Sequence, residues 1–238
     1  MAKKDQLRVT RTGTIINATS KEQEKTVIQA LELVAERIQR NYGVKLSHKK
    51  DWLLKDIVGD LRDHFPDEEF FHYFDNTGIR PDGGILCLVG KDEVMYPLLI
   101  SEVKNQGTND SRAKEGLAKQ AKGNAIERLG KNVIGLRTAF LHESVFPFVC
   151  FGYGCDFEEK SSILDRVVTI AMFGKLNTTY LHATSEGRFN RGSFYFRESE
   201  WSVEEMSSVM YDIAEKTLFY YLSKYGKETF TEKEPTLF

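Results

Sequence analysis

The chain has 238 residues, with 33 Lys and Arg against 35 Asp and Glu, so its net charge is close to neutral. This balance argues against a protein that binds polyanions through a broad basic surface, but it leaves DNA binding in a local cleft open. We expect residues 1–238 to form one domain in the cytoplasm, because the sequence shows neither a signal peptide nor the run of about 18 apolar residues that spans a membrane.

Two helices are predicted in the first quarter of the chain. Residues 1–19 are polar and are expected to form a flexible arm. Ser20 with Gln23 three positions later is a capping-box pattern, so the first helix is predicted to begin at Ser20, and Gly43 is placed to end it. The spacing of apolar residues over 52–61 predicts a second helix.

Two sets of nonpolar side chains are assigned to the core. An aromatic group after the second helix is expected to pack inside rather than to form a ligand platform; it comprises Phe70, Phe71, Tyr73 and Phe74. The cysteines lie in or near apolar segments without metal-ligand spacing, so we interpret them as reduced core thiols: Cys87, Cys150 and Cys155.

A β-hairpin that carries two carboxylates is predicted in the middle of the chain. Apolar runs at 85–89 and 94–100 flank a polar turn, which is typical of a hairpin. Asp82 and Glu102 are each ten positions from Asp92 at the turn. If the hairpin is symmetric about Asp92, the two carboxylates lie opposite each other in the antiparallel ladder.

Lys104 adds a cation to this pair. It lies two positions after Glu102, and because side chains alternate along a strand, it points to the same face. Two carboxylates this close repel each other unless a cation joins them, and a hard divalent ion with oxygen ligands fits that role. The sequence therefore predicts a metal site at Asp82 and Glu102.

A further helix is predicted to begin at Ala125, after Gly123 and the N-cap residue Asn124. Such a helix start directs free N–H groups outward, and asparagine and arginine side chains can bond adenine edges in the major groove. Two interpretations remain open: Asn124 and Arg128 read DNA bases, or Asn124 only caps the helix while Glu127 and Arg128 are surface charges.

The C-terminal third contains one strand, a helix and an irregular stretch. A strand is predicted at 146–151, and 163–173 is either helix or strand. Residues 174–200 are expected to be irregular, facing either DNA or solvent, with arginines spaced among aromatics: Arg188, Arg191 and Arg197. Ser202 and Glu205 form a second capping box before a last helix that Gly226 ends, and the tail to Phe238 is expected to fray.

These motifs together resemble a known enzyme family. Pro81-Asp82 followed by Glu102-Val103-Lys104 is similar to the PD-(D/E)xK nuclease signature, which is weak alone. With the Gly-Asn-Ala-Ile-Glu-Arg run at 123–128, the chain resembles the EcoRI family of type II restriction endonucleases; the remaining motifs are 79–85, 102–107, 131–132 and 143–149.

The resemblance implies a fold and a chemistry. The fold is an α/β restriction-endonuclease-like core, a mixed five-stranded sheet flanked by helices on both faces. The activity is that of a bacterial or archaeal homodimer that cuts a palindromic duplex with Mg²⁺ and leaves 5′-phosphate ends. By carry-over, Asp82, Glu102 and the Val103 carbonyl hold the metal, and Lys104 contacts the scissile phosphate and orients or deprotonates the attacking water.

The resemblance also implies how DNA is read. The 123–128 run is expected to recognise a central AATT, and a cognate adenine-N6 methyltransferase is expected to protect the host. Predicted DNA contacts are Arg80, Gln106, Lys122, Gly123, Asn124, Ala125, Glu127 and Arg128. In the six-base cutter of the family, arginines that help read the outer G·C pairs follow a Leu-Asn pair. Here Thr178 and Thr179 follow Leu176-Asn177. The site is therefore either AATT alone or AATT flanked by other base pairs.

Two alternatives use the same residues. A DNA-repair nuclease on this core shares Asp82, Glu102 and Lys104 but has no need of the 123–128 run. A non-catalytic DNA-binding protein is expected to have lost a carboxylate or the lysine, and all three are present.

Overall fold

A mixed five-stranded sheet forms the centre of the molecule. The computed structural model describes residues 16–105, 116, 124–154, 157, 159, 161–171, 175–182 and 189–231. The strands are β1 (Leu46–Lys49), β2 (Trp52–Leu53), β3 (Gly78–Ile79), β4 (Gly84–Val89), β5 (Met95–Asn105), β6 (Phe148–Tyr153) and β7 (Ser193–Arg197). The main sheet has the order β1-β4-β5-β6-β7, while β2 and β3 pair separately. The predicted sheet is confirmed.

The two halves of the main sheet differ in strand direction. β1, β4 and β5 pair antiparallel, whereas β5, β6 and β7 pair parallel. Parallel neighbours need a crossover connection, usually a helix, and helices occur between both parallel pairs. Within the described residues the α-helices are α1 (Ile16–Tyr42), α2 (Leu54–His64), α3 (Asn124–Ala139), α4 (Ser162–Ala171) and α5 (Val203–Tyr225).

Helices cover both faces of the sheet, as predicted. On one face α1 and α5 pack over Leu86, Leu88 and Val103. On the other face the buried apolar side chains of α2, α3 and α4 pack over Ile85, Cys87 and Ile100. The strand period of two explains this division, because neighbouring residues point to opposite faces. Glu102 and Lys104 have the parity of Ile100, so they face the α3 side.

Individual residues explain where α1 ends and where α5 begins. Gly43 adopts a φ of +62° directly after α1, a conformation that suits glycine. Ser202 Oγ accepts from the Glu205 N–H while the Glu205 carboxylate accepts from the Ser202 N–H, so the predicted capping box at the start of α5 is confirmed. No helix in the described part of the chain is long and apolar enough to cross a membrane.

Four expectations about local structure are wrong. The first helix begins at Ile16, so Ser20 lies inside it and residues 16–19 are not part of an arm. Trp52 belongs to β2 rather than to a helix. The 174–200 stretch supplies the edge strand β7. The expected fraying after Gly226 does not hold at Phe230, which is buried and packs edge-on against Tyr96; residues 232–238 lie outside the described residues.

The aromatic group between α2 and β3 is also misassigned. Phe71, Tyr73 and Phe74 are 69%, 85% and 66% exposed, and only Phe70 is partly buried against the core. Hydrophobicity alone predicts burial, but this loop has too few neighbouring elements to cover its side chains. The ambiguous stretch at 163–173 is the helix α4.

Candidate active site

The hairpin between β4 and β5 has one irregularity that sets the position of the carboxylates. Near the turn Cys87 pairs with Pro97, but beyond it Leu86 pairs with Leu99, so Leu98 has no partner in this ladder. The register therefore shifts by one residue, as at a β-bulge. The predicted direct opposition of Asp82 and Glu102 is wrong by that one residue, because Gly84 already pairs with Ser101.

The carboxylates nevertheless meet, because Asp82 lies in the turn that precedes β4. The Asp82 main-chain N–H donates to Glu102 Oε2 at 3.0 Å. The Val103 N–H lies 3.3 Å from Asp82 Oδ2, to which it donates. Each carboxylate thus accepts a hydrogen bond from the segment that carries the other. This exchange fixes both side chains at the same point of the sheet edge.

Lys104 lies between the two carboxylates. Its Nζ is 2.7 Å from Asp82 Oδ2, forms an ion pair with Glu102 Oε1, and donates to the Val103 carbonyl at 3.1 Å. The three oxygens that the family resemblance assigns to a metal ion therefore all contact one ammonium group. The structure brings the predicted residues Asp82, Glu102, Val103 and Lys104 together.

Burial controls the charges of this cluster. The Glu102 side chain is 2% exposed, and burial raises the pKa of its carboxyl, with the attraction of Lys104 acting in the opposite direction. Burial also acts to lower the pKa of Lys104, but the attraction of Glu102 and Asp82 outweighs it, so the pKa of the ammonium is raised. Lys104 is therefore charged at neutral pH.

The donor set fits a hard divalent cation. Two carboxylates and one carbonyl converge on a positive charge, and all three are oxygen ligands of the kind Mg²⁺ prefers. A cation of higher charge would satisfy the same oxygens and release Lys104 for another partner. No deprotonated thiol competes at this position, because burial raises the pKa of neighbouring Cys150 well above its ordinary value.

Two glycines let the backbone approach closely beside Asp82. A Cβ on Gly83 would lie 2.1 Å from Ser101 Oγ, and Gly84 has a φ of +78° with its Cβ position 2.4 Å from His48 Nε2. His48 Nε2 also lies 2.9 Å from the Gly83 carbonyl. Glycine is therefore required here both for conformation and for space.

A cleft of about 480 Å³ opens next to Asp82, between the start of α1, β1 and residues 80–84. Arg80 lines it, and so do His48 and Lys50, which the sequence analysis did not select. Nothing in the sequence signals these two, because β1 reaches the site only through its pairing with β4. Arg80, His48 and Lys50 are all exposed, and Glu24 of α1 lines the same cleft, so it presents both basic and acidic groups to solvent.

The 123–128 segment, which we call the recognition run after its predicted role, includes the start of α3 at Asn124. Because α3 connects the parallel strands β5 and β6, it begins at the sheet edge where β5 ends, which is the edge that carries Lys104. Ile126 and Leu129 are buried against the sheet, whereas Glu127 and Arg128 are exposed. The helix begins at Asn124, one residue before the predicted start. Gln106, Lys122 and Gly123 lie outside the described residues.

The guanidinium group of Arg197 is engaged in contacts within the protein, which indicates a structural role. Its Nε and Nη atoms donate to the Ser199 and Glu200 carbonyls and to both oxygens of Glu205. The guanidinium also lies 3.7 Å from the centroid of the Trp201 ring. Asn177 is likewise engaged, since its side chain bonds the N–H and the carbonyl of Phe196. Arg188 lies outside the described residues.

Comparison with known proteins adds independent findings. The family model described as restriction endonuclease EcoRI matches residues 10–164. The chain is 27% identical over 180 residues to the type II restriction enzyme RsrI of Cereibacter sphaeroides, covering 61% of this chain and 65% of that protein. It is 26% identical over 236 residues to the type II restriction enzyme EcoRI of Escherichia coli, covering 84% and 85%. The chain thus spans just under two thirds of the first relative's length.

Proposed function

The chain belongs to the restriction endonuclease EcoRI family, and from that premise we propose that it is a homodimeric, Mg²⁺-dependent endonuclease. Its substrate is double-stranded DNA with a palindromic site that contains a central AATT. Each subunit cuts one strand by phosphodiester hydrolysis and leaves a 5′-phosphate and a 3′-hydroxyl. The two-fold symmetry of a dimer matches the two-fold symmetry of such a site.

The single observation that carries this proposal is the convergence of Asp82 Oδ2, Glu102 Oε1 and the Val103 carbonyl on one cationic group, Lys104 Nζ. Three oxygens that already stabilise the positive charge of Lys104 at this position also suit a hard divalent ion. We assign Asp82, Glu102 and Val103 as ligands of Mg²⁺.

Hydrolysis needs a nucleophilic water and stabilisation of negative charge on the phosphate. Mg²⁺, when bound, acts as a Lewis acid toward the phosphate and lowers the pKa of a coordinated water. Lys104, which is charged in this structure, contacts a non-bridging oxygen of the scissile phosphate and orients the attacking water. Without the metal, Glu102 and Asp82 hold Lys104 beside that position through their ion pairs, and an ion bound to their oxygens would free the ammonium for the phosphate.

DNA binding uses both sides of the carboxylate pair. Arg80, Lys50 and His48 line the cleft beside Asp82, and we assign them to the DNA backbone, whose phosphates bind basic side chains without regard to sequence. On the other side, Asn124 and Arg128 address adenines of AATT and Ala125 packs near the bases. Glu127 holds this segment in place.

Among the described residues, those at the Leu176-Asn177 pair and just after it are not available to read bases outside AATT. Asn177 is committed to the Phe196 backbone, and Thr179 Oγ1 bonds the Tyr195 hydroxyl at 2.9 Å. Threonine also lacks the bidentate donor pair with which arginine reads guanine. We therefore propose that AATT alone is the recognition site. Its protection in the host requires an adenine-N6 methyltransferase, because a methyl group on N6 blocks the hydrogen bond to Asn124.

Digestion of a plasmid of known sequence tests the proposal. The purified protein is incubated with and without Mg²⁺, and every cut end is mapped, in parallel with Glu102→Gln and with the surface control Glu69→Gln. We expect discrete Mg²⁺-dependent cuts at AATT, abolished in Glu102→Gln only. Cutting that persists in Glu102→Gln rejects the catalytic assignment. Random nicking rejects the specificity and favours a repair nuclease, and absence of cutting favours a DNA-binding protein.

A further inference from the structure

A second group of potential metal ligands lies away from the carboxylate hairpin. Asp60 and His64 are one helical turn apart on α2, and His142 follows α3. One ligand atom from each of the three lies within 4.8 Å of the other two. Tyr96 and Pro97 of β5 line the same cavity, and Pro97 is about 17 Å along the strand from Glu102. This group is therefore separate from the proposed active site.

The three residues have the chemistry of a transition-metal site. Two imidazoles and one carboxylate are a ligand set for Zn²⁺ and similar divalent ions, whereas Mg²⁺ prefers oxygen ligands alone. Metal bonds of about 2.0 to 2.2 Å place tetrahedral ligand atoms about 3.4 Å apart. The present spacing differs from this by roughly the movement of a side-chain rotamer. Asp60 and His64 are 39% and 42% exposed, so both side chains have freedom to adjust.

The His142 ring lies between two carboxylates, at distances longer than a hydrogen bond. Its Nε2 lies 3.6 Å from Glu143 Oε1 and its Nδ1 lies 3.5 Å from Asp60 Oδ2. Within the described residues, Nδ1 is buried and has no hydrogen-bond partner. Histidine ligands commonly direct their second nitrogen toward a carboxylate, which fixes the ring and leaves the other nitrogen for the metal.

Glu143, beside His142, is itself fixed by three other residues. It accepts hydrogen bonds from the Tyr220 hydroxyl at 2.5 Å, from Lys224 Nζ at 2.6 Å and from the Tyr225 hydroxyl at 2.8 Å. Lys224 neutralises Glu143, and Asp60 then leaves the surroundings of the two imidazoles with a net negative charge. A cation that binds between the imidazoles is therefore attracted by Asp60, and the positive charge of Lys224 is offset by Glu143.

His64 is oriented by a different contact. Its Nδ1 lies 2.9 Å from the Asp60 main-chain carbonyl, which can only accept a hydrogen bond, so Nε2 is the ring nitrogen that remains for a metal. The two imidazole rings stack with centroids 3.9 Å apart and an interplanar angle of 18°. Because imidazole lone pairs lie in the ring planes, coordination of one cation by both rings requires one ring to turn, and the exposure of His64 leaves it free to do so. The cavity around them has a volume of about 310 Å³, enough for an ion with its water ligands.

We propose that Asp60, His64 and His142 bind one divalent transition-metal ion of the Zn²⁺ class and thereby tie α2 to the segment that follows α3. The role is structural, because the site lies at the far end of β5 from Asp82 and Glu102. The inference does not rest on the proposed DNA cleavage. The metal site would nevertheless affect DNA cleavage, because His142 follows the C-terminal end of α3 and the recognition run lies at the N-terminal end of the same helix.

Zn²⁺ binding to protein that has been freed of metal with a chelator tests this site. All variants carry Glu102→Gln, which weakens the active-site carboxylate pair so that the second site is measured alone. We compare this background with added His64→Gln, His142→Gln, and the control His182→Gln, whose histidine is exposed elsewhere. Affinity is measured by competition with a coloured chelator, and Co²⁺ reports coordination by its ligand-field absorption.

We expect one Zn²⁺ per chain in the background and in His182→Gln, and a loss of affinity of at least about tenfold in His64→Gln and His142→Gln. Zn²⁺ at a hundredfold excess over Kd should raise Tm by about 5 °C in the background protein and in His182→Gln, but not in the other two variants. Because His64 is half exposed, its variant folds even where His142→Gln does not. Equal affinity in all four proteins, or no binding in the background, overturns the proposal.

Discussion

Lys104 Nζ lies 2.7 Å from Asp82 Oδ2 although the two residues are 22 positions apart in the chain. With Glu102 on its other side, this ammonium is the only described cation that holds two carboxylates at the end of β5. Removing it leaves two like charges together, one of them almost fully buried. The stability of this edge of the sheet therefore depends on a cation, either Lys104 or a bound metal.

The variant Lys104→Met tests that dependence. We expect it to unfold more easily by about 3 kcal/mol or more without metal, because breaking a buried pair leaves an uncompensated charge. Ca²⁺, which binds carboxylates without supporting hydrolysis in many Mg²⁺ enzymes, should restore most of the loss. Urea unfolding with and without Ca²⁺ measures both effects. The exposed control Lys55→Met should show neither, and an equal, Ca²⁺-independent loss in both variants would contradict the interpretation.

Arg128→Gln tests the recognition run. Arg128 is exposed at the start of α3, and a bidentate contact to a base contributes about 1 to 3 kcal/mol of discrimination. We expect kcat/KM on an AATT duplex to fall about tenfold or more, with little change in binding to unrelated duplex. Arg166→Gln on α4 removes the same charge from an exposed position. If both variants lose activity equally, Arg128 acts only through net charge.

Gly84→Ala tests the backbone beside Asp82. A Cβ at this position meets His48 Nε2 at 2.4 Å and the Lys49 carbonyl at 2.6 Å, and the φ of +78° is unfavourable for alanine. We expect a destabilisation of about 1 to 3 kcal/mol and weaker cleavage. The matched change Gly59→Ala lies inside α2 with open space around it and should stabilise by up to about 1 kcal/mol. Thermal unfolding of the pair distinguishes strain from a general effect of the added methyl group.

Glu205 makes the fold sensitive to acid. The hydrogen bond from Arg197, with that from the Ser202 N–H, lowers the pKa of this carboxyl from 4.5 to about 2. Because the folded-state pKa is the lower one, the carboxylate stabilises the fold above pH 4.5, and this contribution is lost as pH falls toward 2. Glu205→Gln should therefore differ from the parent protein most at neutral pH and converge with it in acid.

Urea midpoints measured from neutral pH down to pH 2 follow this convergence. Glu204→Gln removes the same charge from the same helical turn and serves as the control, since its side chain does not take part in the capping box. A parallel pH dependence in the two variants would show that helix-terminal charge, rather than the Arg197 contact, is responsible.

The parts of the site that were predicted depend on local patterns. The β4–β5 hairpin follows from two apolar runs around a polar turn, and the α3 core face follows from helical spacing at Ile126, Leu129 and Val133. The shared face of Glu102 and Lys104 follows from strand alternation alone. These signals are contained within a few residues, so one sequence is enough to interpret them.

The parts that were missed depend on distant partners. His48 and Lys50 reach the cleft because β1 pairs with β4, and no pattern within β1 indicates that pairing. No sequence pattern predicts that Leu98 lacks a partner in the β4–β5 ladder, since Leu98 and Leu99 are both apolar and both buried. The exposed aromatics at 71–74 are the opposite case, in which a strong local signal for burial is not matched by any element that covers them.

The irregularity at Leu98 has a consequence for how this chain tolerates changes in length. The turn at Gly90 to Val94 and the carboxylates lie on opposite sides of Leu98, so the pairing of Gly84 with Ser101 is set independently of the turn. Residues inserted into the turn would lengthen an exposed loop at small entropic cost and leave Glu102 in phase. Deletion of Leu98 itself would remove the bulge and make the ladder regular, because Cys87 pairs with Pro97 and Leu86 with Leu99. Leu98 and Leu99 pack in the same hydrophobic cluster, so Glu102 and Lys104 would keep their face of the sheet. The hairpin tip is thus a suitable attachment point for a tag or fusion partner, because the position of the carboxylates depends on the ladder beyond Leu98 and not on the length of the turn.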